Sequence, residues 1–316
     1  MQVSSMLSRG KQPYLAGWLL CLALLVPMPL PAEEPRPRPT IGLALGSGGA
    51  NGLAHIAMLQ VFDELDIVPD RITGTSIGAV IGGLYAAGLS ADEILDIFDD
   101  VAGSPLDALS GLAGSELDLA GLLQLGLNDG GLLDSGGFLR FLAGHTQARR
   151  FEELRIPLTV VATDYWTGDS VALDEGQLFP AIESSMAVPG LFAPVPHGER
   201  LLIDGGTSNP LPFDLLQDKV DLVIAVDVTG NRRTEDDEAP GITDMLFNTF
   251  QIMQQSLTAK AVRHAPPDIY LKPEAGDVRL LHFNRIHEIL DQAEPAADEL
   301  RERLVAWKEI QANATP

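Results

Sequence analysis

The chain has a single cysteine, Cys21, and it falls in an apolar N-terminal stretch. Once that stretch is removed, the remainder has no disulfide, no thiol nucleophile and no cysteine zinc site available to it. Basic residues are scarce as well: 21 Lys and Arg stand against 44 Asp and Glu, a formal net charge of −23 over 316 residues. A charge of that sign repels phosphate backbones and removes the attraction that drives nucleic-acid binding, so nucleic acid is excluded as an expected partner. It offers no attraction to anionic bilayers either. The apolar stretch Tyr14 to Val26 falls short of the roughly 20 residues that a bilayer span needs. Arg9 and Lys11 precede it, and small and Pro-rich residues follow up to Ala32. Residues 1–32 are therefore expected to be a cleavable signal, and the protein to be periplasmic or secreted, in preference to one held by a retained anchor. Leu19 and Leu20, ahead of Cys21, are too bulky for a lipid-attachment box.

What remains, with 46% apolar residues overall, is enough for one large core. After a Pro/Arg-rich linker at 33–39, a single domain is expected over 40–316. Thr40 to Gly46 is a short apolar run ending in glycine, as in a buried parallel strand. Leu53, Ile56, Met58, Val61, Phe62 and Leu65 recur at helical spacing, and Asp66 to Pro69 closes that helix. A strand at Arg71 to Thr75, a small-residue helix at Ile77 to Ala87 and a further helix at Asp92 to Asp99 come next. Strands are expected near Leu158 to Thr163, Ser170 to Leu173, Leu201 to Ile203 and Leu222 to Asp227, and a charged amphipathic helix over Arg285 to Gln311. This alternation specifies an α/β layered fold with a largely parallel sheet. The Gly-rich stretch between Ala102 and Ser135 lacks clean periodicity and reads equally as an apolar flap or an ordinary surface excursion.

Three motifs carry chemistry. Gly74-Thr75-Ser76-Ile77-Gly78 sits between an expected strand and an expected helix, the context of a nucleophile elbow. There the serine oxygen is exposed on a sharp turn, and glycines two positions either side are needed because the backbone packs too closely for side chains. Gly46-Ser47-Gly48-Gly49-Ala50-Asn51-Gly52 lies at another strand end and helix start, where bare amides can face an anion. A dinucleotide fingerprint starting at Gly46 fails, because its sixth place is Asn51. The expected role is an oxyanion hole with the Gly48 and Gly49 amides as donors. Asp204-Gly205-Gly206 comes after the strand Leu201 to Ile203, so a carboxylate stands where sites of open α/β sheets form.

In order and context, the three motifs resemble the patatin-like phospholipase family. The resemblance extends to Gly52-Leu53-Ala54-His55-Ile56, to Val161-Ala162-Thr163-Asp164 with Thr167-Gly168, to Met186 to Phe192, and to Ala225 to Val228. It implies a three-layer α/β/α fold and a Ser-Asp dyad, Ser76 as nucleophile and Asp204 as base, acting on a lipid or ester substrate, with approach to a membrane surface open. No metal constellation stands out in the sequence, and no cofactor is expected. Where the family carries arginine in its Gly-rich loop this chain has Asn51, and Ser47 replaces a glycine. Asparagine donates a hydrogen bond without supplying charge, which favours neutral esters over phosphate-bearing substrates. A triad using His264, His282 or His287 would keep the order Ser-Asp-His, yet none of these is bracketed by a strand end and glycines. His55, His145 and His197 read as packing or solvated. The acidic run Glu235-Asp236-Asp237-Glu238 reads as a solvated loop. Two other functions fit the same residues: a non-catalytic exported lipid-binding protein that keeps the fold, and an acyltransferase in which an alcohol outcompetes water. Substrate head group and oligomeric state are left open.

Overall fold

In a computed structural model of the chain, the described residues are 38–102, 135–230, 242–274, 276, 278 and 282–314. The expected signal with Cys21, most of the linker, the Gly-rich stretch between Ala102 and Ser135, and the acidic run 235–238 lie outside them. Contacts divide the chain into Met1–Arg38 and Pro39–Pro316, and the described strands and helices all belong to the second unit.

The apolar run after the linker forms β1 (Ile41–Leu45), fully buried as a parallel central strand should be. A short 3-10 turn (Gly49–Leu53) leads into α1 (Ala54–Glu64), and then come β2 (Arg71–Thr75), α2 (Ile77–Ala86) and α3 (Ala91–Ala102). Helix α4 (Ser135–Gly144) precedes β3 (Leu158–Asp164) and β4 (Ser170–Leu173). After α5 (Leu178–Ser185), β5 (Val195–His197) and β6 (Arg200–Asp204) form a hairpin. The chain ends with β7 (Leu222–Val226), α6 (Ile242–His264), β8 (Ile269–Leu271) and α7 (Ile286–Ala314). The elements expected from sequence are present with small shifts at their ends. The short strands β5 and β8 and the helices α4, α5 and α6 carried no assignment.

Strand order across the sheet is β5-β6-β3-β2-β1-β7-β8, with β4 also paired to β3. Strands β3, β2, β1, β7 and β8 run parallel, while β4 and β6 are antiparallel to β3. Side chains alternate between the two faces, and two apolar clusters result. Ile41, Leu43 and Leu45 of β1 join Leu222, Ile224 and Val226 of β7 in the larger cluster, under α1, α2, α3 and α7. Ala44, Val223 and Ala225 point the other way, against Leu211, Phe213 and Leu216, with Val262 of α6 packed on them. The sheet is thus covered by helices on both faces, the layering that the motif resemblance implied.

One detail of the pairing governs the site. Strand β4 occupies one edge of β3 along Val160–Thr163. Both β2, which pairs along Leu158–Val161, and β6, which pairs along Ala162–Asp164, overlap that stretch and so must share the opposite edge. They run toward each other: β2 ends with Thr75 opposite Val161, and β6 ends with Asp204 opposite Ala162. Adjacent positions along a strand are about 3.3 Å apart, so the two C-terminal ends abut.

Glycines let backbones approach closely around these strand ends and around the neighbouring end of β1. A Cβ on Gly78 would lie 2.2 Å from the Leu45 carbonyl oxygen, and one on Gly205 would lie 2.1 Å from that of Val161, whereas one on Gly144 would meet nothing within 4 Å. Gly78→Ala is therefore expected to destabilise the fold by about 1–3 kcal/mol through overpacking, and Gly144→Ala to stay within about 0.5 kcal/mol of the parent. Urea unfolding followed by circular dichroism distinguishes the two, and equal midpoints would contradict the packing argument.

Candidate active site

The Gly-rich loop leaves β1 with its first amides already committed. Gly46 N–H donates to Val226 O at 3.0 Å and Ser47 N–H to Pro210 O at 2.8 Å. His55 Nε2 lies 2.9 Å from Gly46 O. A carbonyl only accepts, so Nε2 carries the proton; burial pushes the imidazole pKa down to about 4, which keeps the ring neutral near pH 7. His55 thus pins the loop and is not a free base. The next two amides, of Gly48 and Gly49, donate to no backbone carbonyl among the described residues. Gly48 must be glycine, since a Cβ there would lie 2.4 Å from Val228 O. The segment carrying Val228 is itself braced by Asp227, a buried carboxylate that accepts hydrogen bonds from Thr229 N–H (2.9 Å), Tyr270 OH (2.6 Å) and Lys272 Nζ (3.2 Å). Asn51 is buried, and its Oδ1 has no partner. Gly52 seats the next motif: a Cβ there would overlap the Ile77 side chain.

Ser76 caps α2 with φ 55° and ψ −122°, a left-handed conformation that costs a non-glycine residue on the order of 1–3 kcal/mol. It is held by its surroundings. Gly74 admits the backbone of Gly78 and Ala79, and the Ser76 amide donates to Ser185 Oγ at 2.8 Å. Ser185 Oγ passes the bond on to Val161 O at 2.6 Å, so α5 ties the turn to β3. These bonds hold the turn in place where β2 meets β6.

Asp204 closes that gap from the other side. It is fully buried; its Oδ1 accepts the Gly206 amide at 2.7 Å, and its Oδ2 completes no hydrogen bond. Burial raises its pKa to about 7, against the opposing pull of the neighbouring Ser76 hydroxyl and the Gly206 amide. The hydroxyl thus lies beside the carboxylate and favours its ionised form. Thr163 Oγ1 donates to the Asp204 carbonyl at 3.0 Å and fixes the turn. A Cβ on Gly205 would also touch Thr75, and one on Gly206 would lie 2.2 Å from Gln254 Nε2, 2.8 Å from Asp204 Oδ1 and 2.9 Å from Ser47 Oγ.

The three motifs therefore converge on one place, and four other histidines stand apart from them, while His282 precedes the turn Phe283–Arg285 near Glu288. His145 bonds to Phe141 O, His287 stands 3.4 Å from Asp99, His197 sits in β5, and His264 ends α6. None of these, nor His55, is hydrogen-bonded to Ser76 or Asp204. Ser185, Gln254 and the bonding role of Asp227, whose segment Ala225 to Val228 joins the motif resemblance without one, escape a reading of the sequence. No local pattern marks Ser185 or Gln254, which arrive from separate helices. Among the described residues no group of three or more His, Cys, Asp or Glu could hold a metal ion, and no helix is long and apolar enough to cross a membrane.

Residues 43–216, more than half of the chain, match the family described as Patatin-like phospholipase. An NTE family protein of Mycobacterium tuberculosis is 37% identical over 212 residues, covering 66% of this chain and 54% of that protein. Mouse patatin-like phospholipase domain-containing protein 6 is 31% identical over 198 residues, covering 62% of this chain and 14% of that one. The chain spans about half the length of the mycobacterial relatives it matches. Among solved structures, VipD from Legionella pneumophila aligns with a TM-score of 0.48 at 13% identity, covering 85% of this chain and 68% of that one.

The raised pKa of Asp204 has a consequence for stability. An acid whose folded pKa lies above its unfolded value of 3.8 loses stability as pH rises between the two and stays penalised above about 7. Asp204→Asn removes that charge with little change of shape. The variant is expected to gain on the order of 3–4 kcal/mol over the parent at pH 8, and nothing at pH 4. Thermal unfolding at both values measures it; an Asn variant no more stable at pH 8 than the parent would show that the carboxylate is not destabilised by burial.

Proposed function

The chain belongs to the patatin-like phospholipase family, and from that premise we propose that it is a serine-dependent lipid acyl hydrolase using Ser76 and Asp204. The observation that carries the reading is the abutment of β2 and β6 on one edge of β3, which sets a strained serine against a buried carboxylate. In the proposed mechanism Asp204 takes the Ser76 proton as the hydroxyl attacks the ester carbonyl. The carbonyl oxygen becomes an oxyanion, for which the uncommitted amides of Gly48 and Gly49 are the supporting donors. Asp204 then returns the proton to the departing alcohol, leaving acyl-Ser76. Water, deprotonated by the same carboxylate, releases the fatty acid and restores the serine.

Three residues bear on the substrate class. Asn51, buried where a charged side chain would otherwise offer a phosphate contact, supports esters with uncharged surroundings at the scissile bond. Tyr165 and Trp166, stacked edge to face just beyond the C-terminal end of β3, are exposed, as amphipathic rings at a lipid interface are. A net charge of −23 directs such docking to neutral rather than anionic lipid. The basic and apolar N-terminal pattern supports action outside the cytoplasm.

A carboxylate that must be ionised to act, with a pKa of about 7, gives a rising limb. With a short-chain nitrophenyl ester, kcat/KM is expected to climb about tenfold per pH unit below 7 and to level off above it. His55, neutral down to about pH 4, contributes no limb in that range. Ser76→Ala is expected to abolish turnover and fluorophosphonate labelling while leaving the circular dichroism spectrum unchanged. Turnover retained in that variant, or a flat profile from pH 5 to 9, would refute the assignment.

A further inference from the structure

Helix α6 buries the wrong kind of face. Its inward side presents Gln251, Gln254 and Thr258, spaced three and four residues apart and each at most 9% exposed, while Met245, Leu246, Ile252 and Met253 point outward. Burying a polar stripe is unfavourable unless each group finds a partner, yet Thr258 Oγ1 has none. The stripe packs against the turn Gly205–Thr207 that comes after Asp204. There Gln254 Nε2 and Ser47 Oγ both crowd the α-carbon of Gly206, on the same side as Asp204 Oδ1. Gly206 is thus glycine because it accommodates the head of another side chain. Ser47 Oγ, Asp204 Oδ2 and Thr207 Oγ1, all from this neighbourhood, are buried without hydrogen-bond partners. Unsatisfied atoms of the Gly-rich loop and of the strand end and turn that carry the proposed base, with the Gln254 amide beside them, fit one small ligand that both donates and accepts.

We propose that Gln254 and Ser47 hold the hydrolytic water against Asp204, making them positioning residues for deacylation; this rests on the hydrolase reading of Ser76 and Asp204. The Gln254 amide and the Ser47 hydroxyl orient the water while Asp204 accepts its proton. The water oxygen bonds to the carbonyl carbon of acyl-Ser76, the tetrahedral adduct collapses, and the Ser76 Oγ–acyl bond breaks. Asp204 gives its proton to Ser76 Oγ, and the products are a carboxylic acid and the free enzyme. No atom of Gln254 or Ser47 is consumed, and acylation, in which no water takes part, does not use them. A site of this kind biases the acyl-enzyme toward water over competing alcohols. It therefore selects hydrolysis over acyl transfer on a fold that supports the chemistry of both.

The test separates the two half-reactions in the full-length protein. Gln254→Met keeps length and packing and removes the amide; Ser47→Ala removes the hydroxyl on a different element. With nitrophenyl butyrate in stopped flow, each variant is expected to keep its acylation rate within about twofold while deacylation falls about tenfold, so that a full-site burst precedes a slow steady state. With methanol added, the ratio of methyl ester to acid is expected to rise severalfold over the parent. A parallel fall of burst and steady state in both variants, or no change in either, overturns the proposal and leaves the Ser76 assignment intact. A parent that neither labels with fluorophosphonate nor gives a burst overturns both. Should Gln254→Met fail to fold, Ser47→Ala decides alone, since that position lies in a loop and not on the packed helix.

Discussion

The sharing of one β3 edge by two strands of opposite direction is the constraint from which the site arises. A strand has two hydrogen-bonding edges, and β4 fills one of them. Strands β2 and β6 must therefore divide the other, and where they stop is set by backbone pairing rather than by side-chain preference. The proposed nucleophile and base are the residues at which each strand leaves the ladder. Side chains at a junction of this kind need no long or flexible reach, which suits a short serine and a short aspartate. The same junction leaves no room for a Cβ on Gly205, which would meet Val161 and Thr75, while the elbow needs glycine at 74 and 78 to close on itself and on the end of β1.

Around that junction the molecule carries costs that a purely structural packing would not retain. Ser76 adopts a left-handed conformation, Asp204 is buried with one oxygen unpartnered, and several hydroxyls nearby lack partners. Local rules broken together at one place, with compensation elsewhere, support the proposed site. The compensation is visible in the interlocking bonds from Ser185, His55 and the Asp227 network, each tying a loop of the site to a strand end or to an adjoining loop. Helix α6 extends the pattern, because it turns amides where a helix of this position would ordinarily turn leucines. Polar groups held on rigid strand ends support the proposed chemistry, which needs its donors in place before charge develops.

Much of this was legible in the chain itself. The alternation of apolar runs and helical periods fixes the order of β1, α1, β2 and α2, because a period of two or of 3.6 is written locally. The elbow and its glycines are readable for the same reason: a sharp turn makes demands on residues only two positions away. The Asp204-Gly205-Gly206 motif is weaker alone, an ordinary turn until its place after a strand is known. Helix α6 escaped assignment, since a polar inward face inverts the usual hydrophobic pattern and leaves no periodic signal. The short strands β5 and β8 pair only at an edge and have too few residues to show alternation.

The sequence by itself determined an α/β chain with three glycine-marked turns, poor in cysteine and strongly acidic, because each of these properties depends on composition or on neighbours a few residues apart. Only the tertiary structure decided that His55 is a neutral clasp and not a base, that Ser185 holds the Ser76 amide, and that Gln254 meets Ser47 across Gly206. Those relations join residues far apart along the chain, and the backbone pairing that unites them is made of groups common to every residue. Nothing in the identity of a single amino acid could announce them.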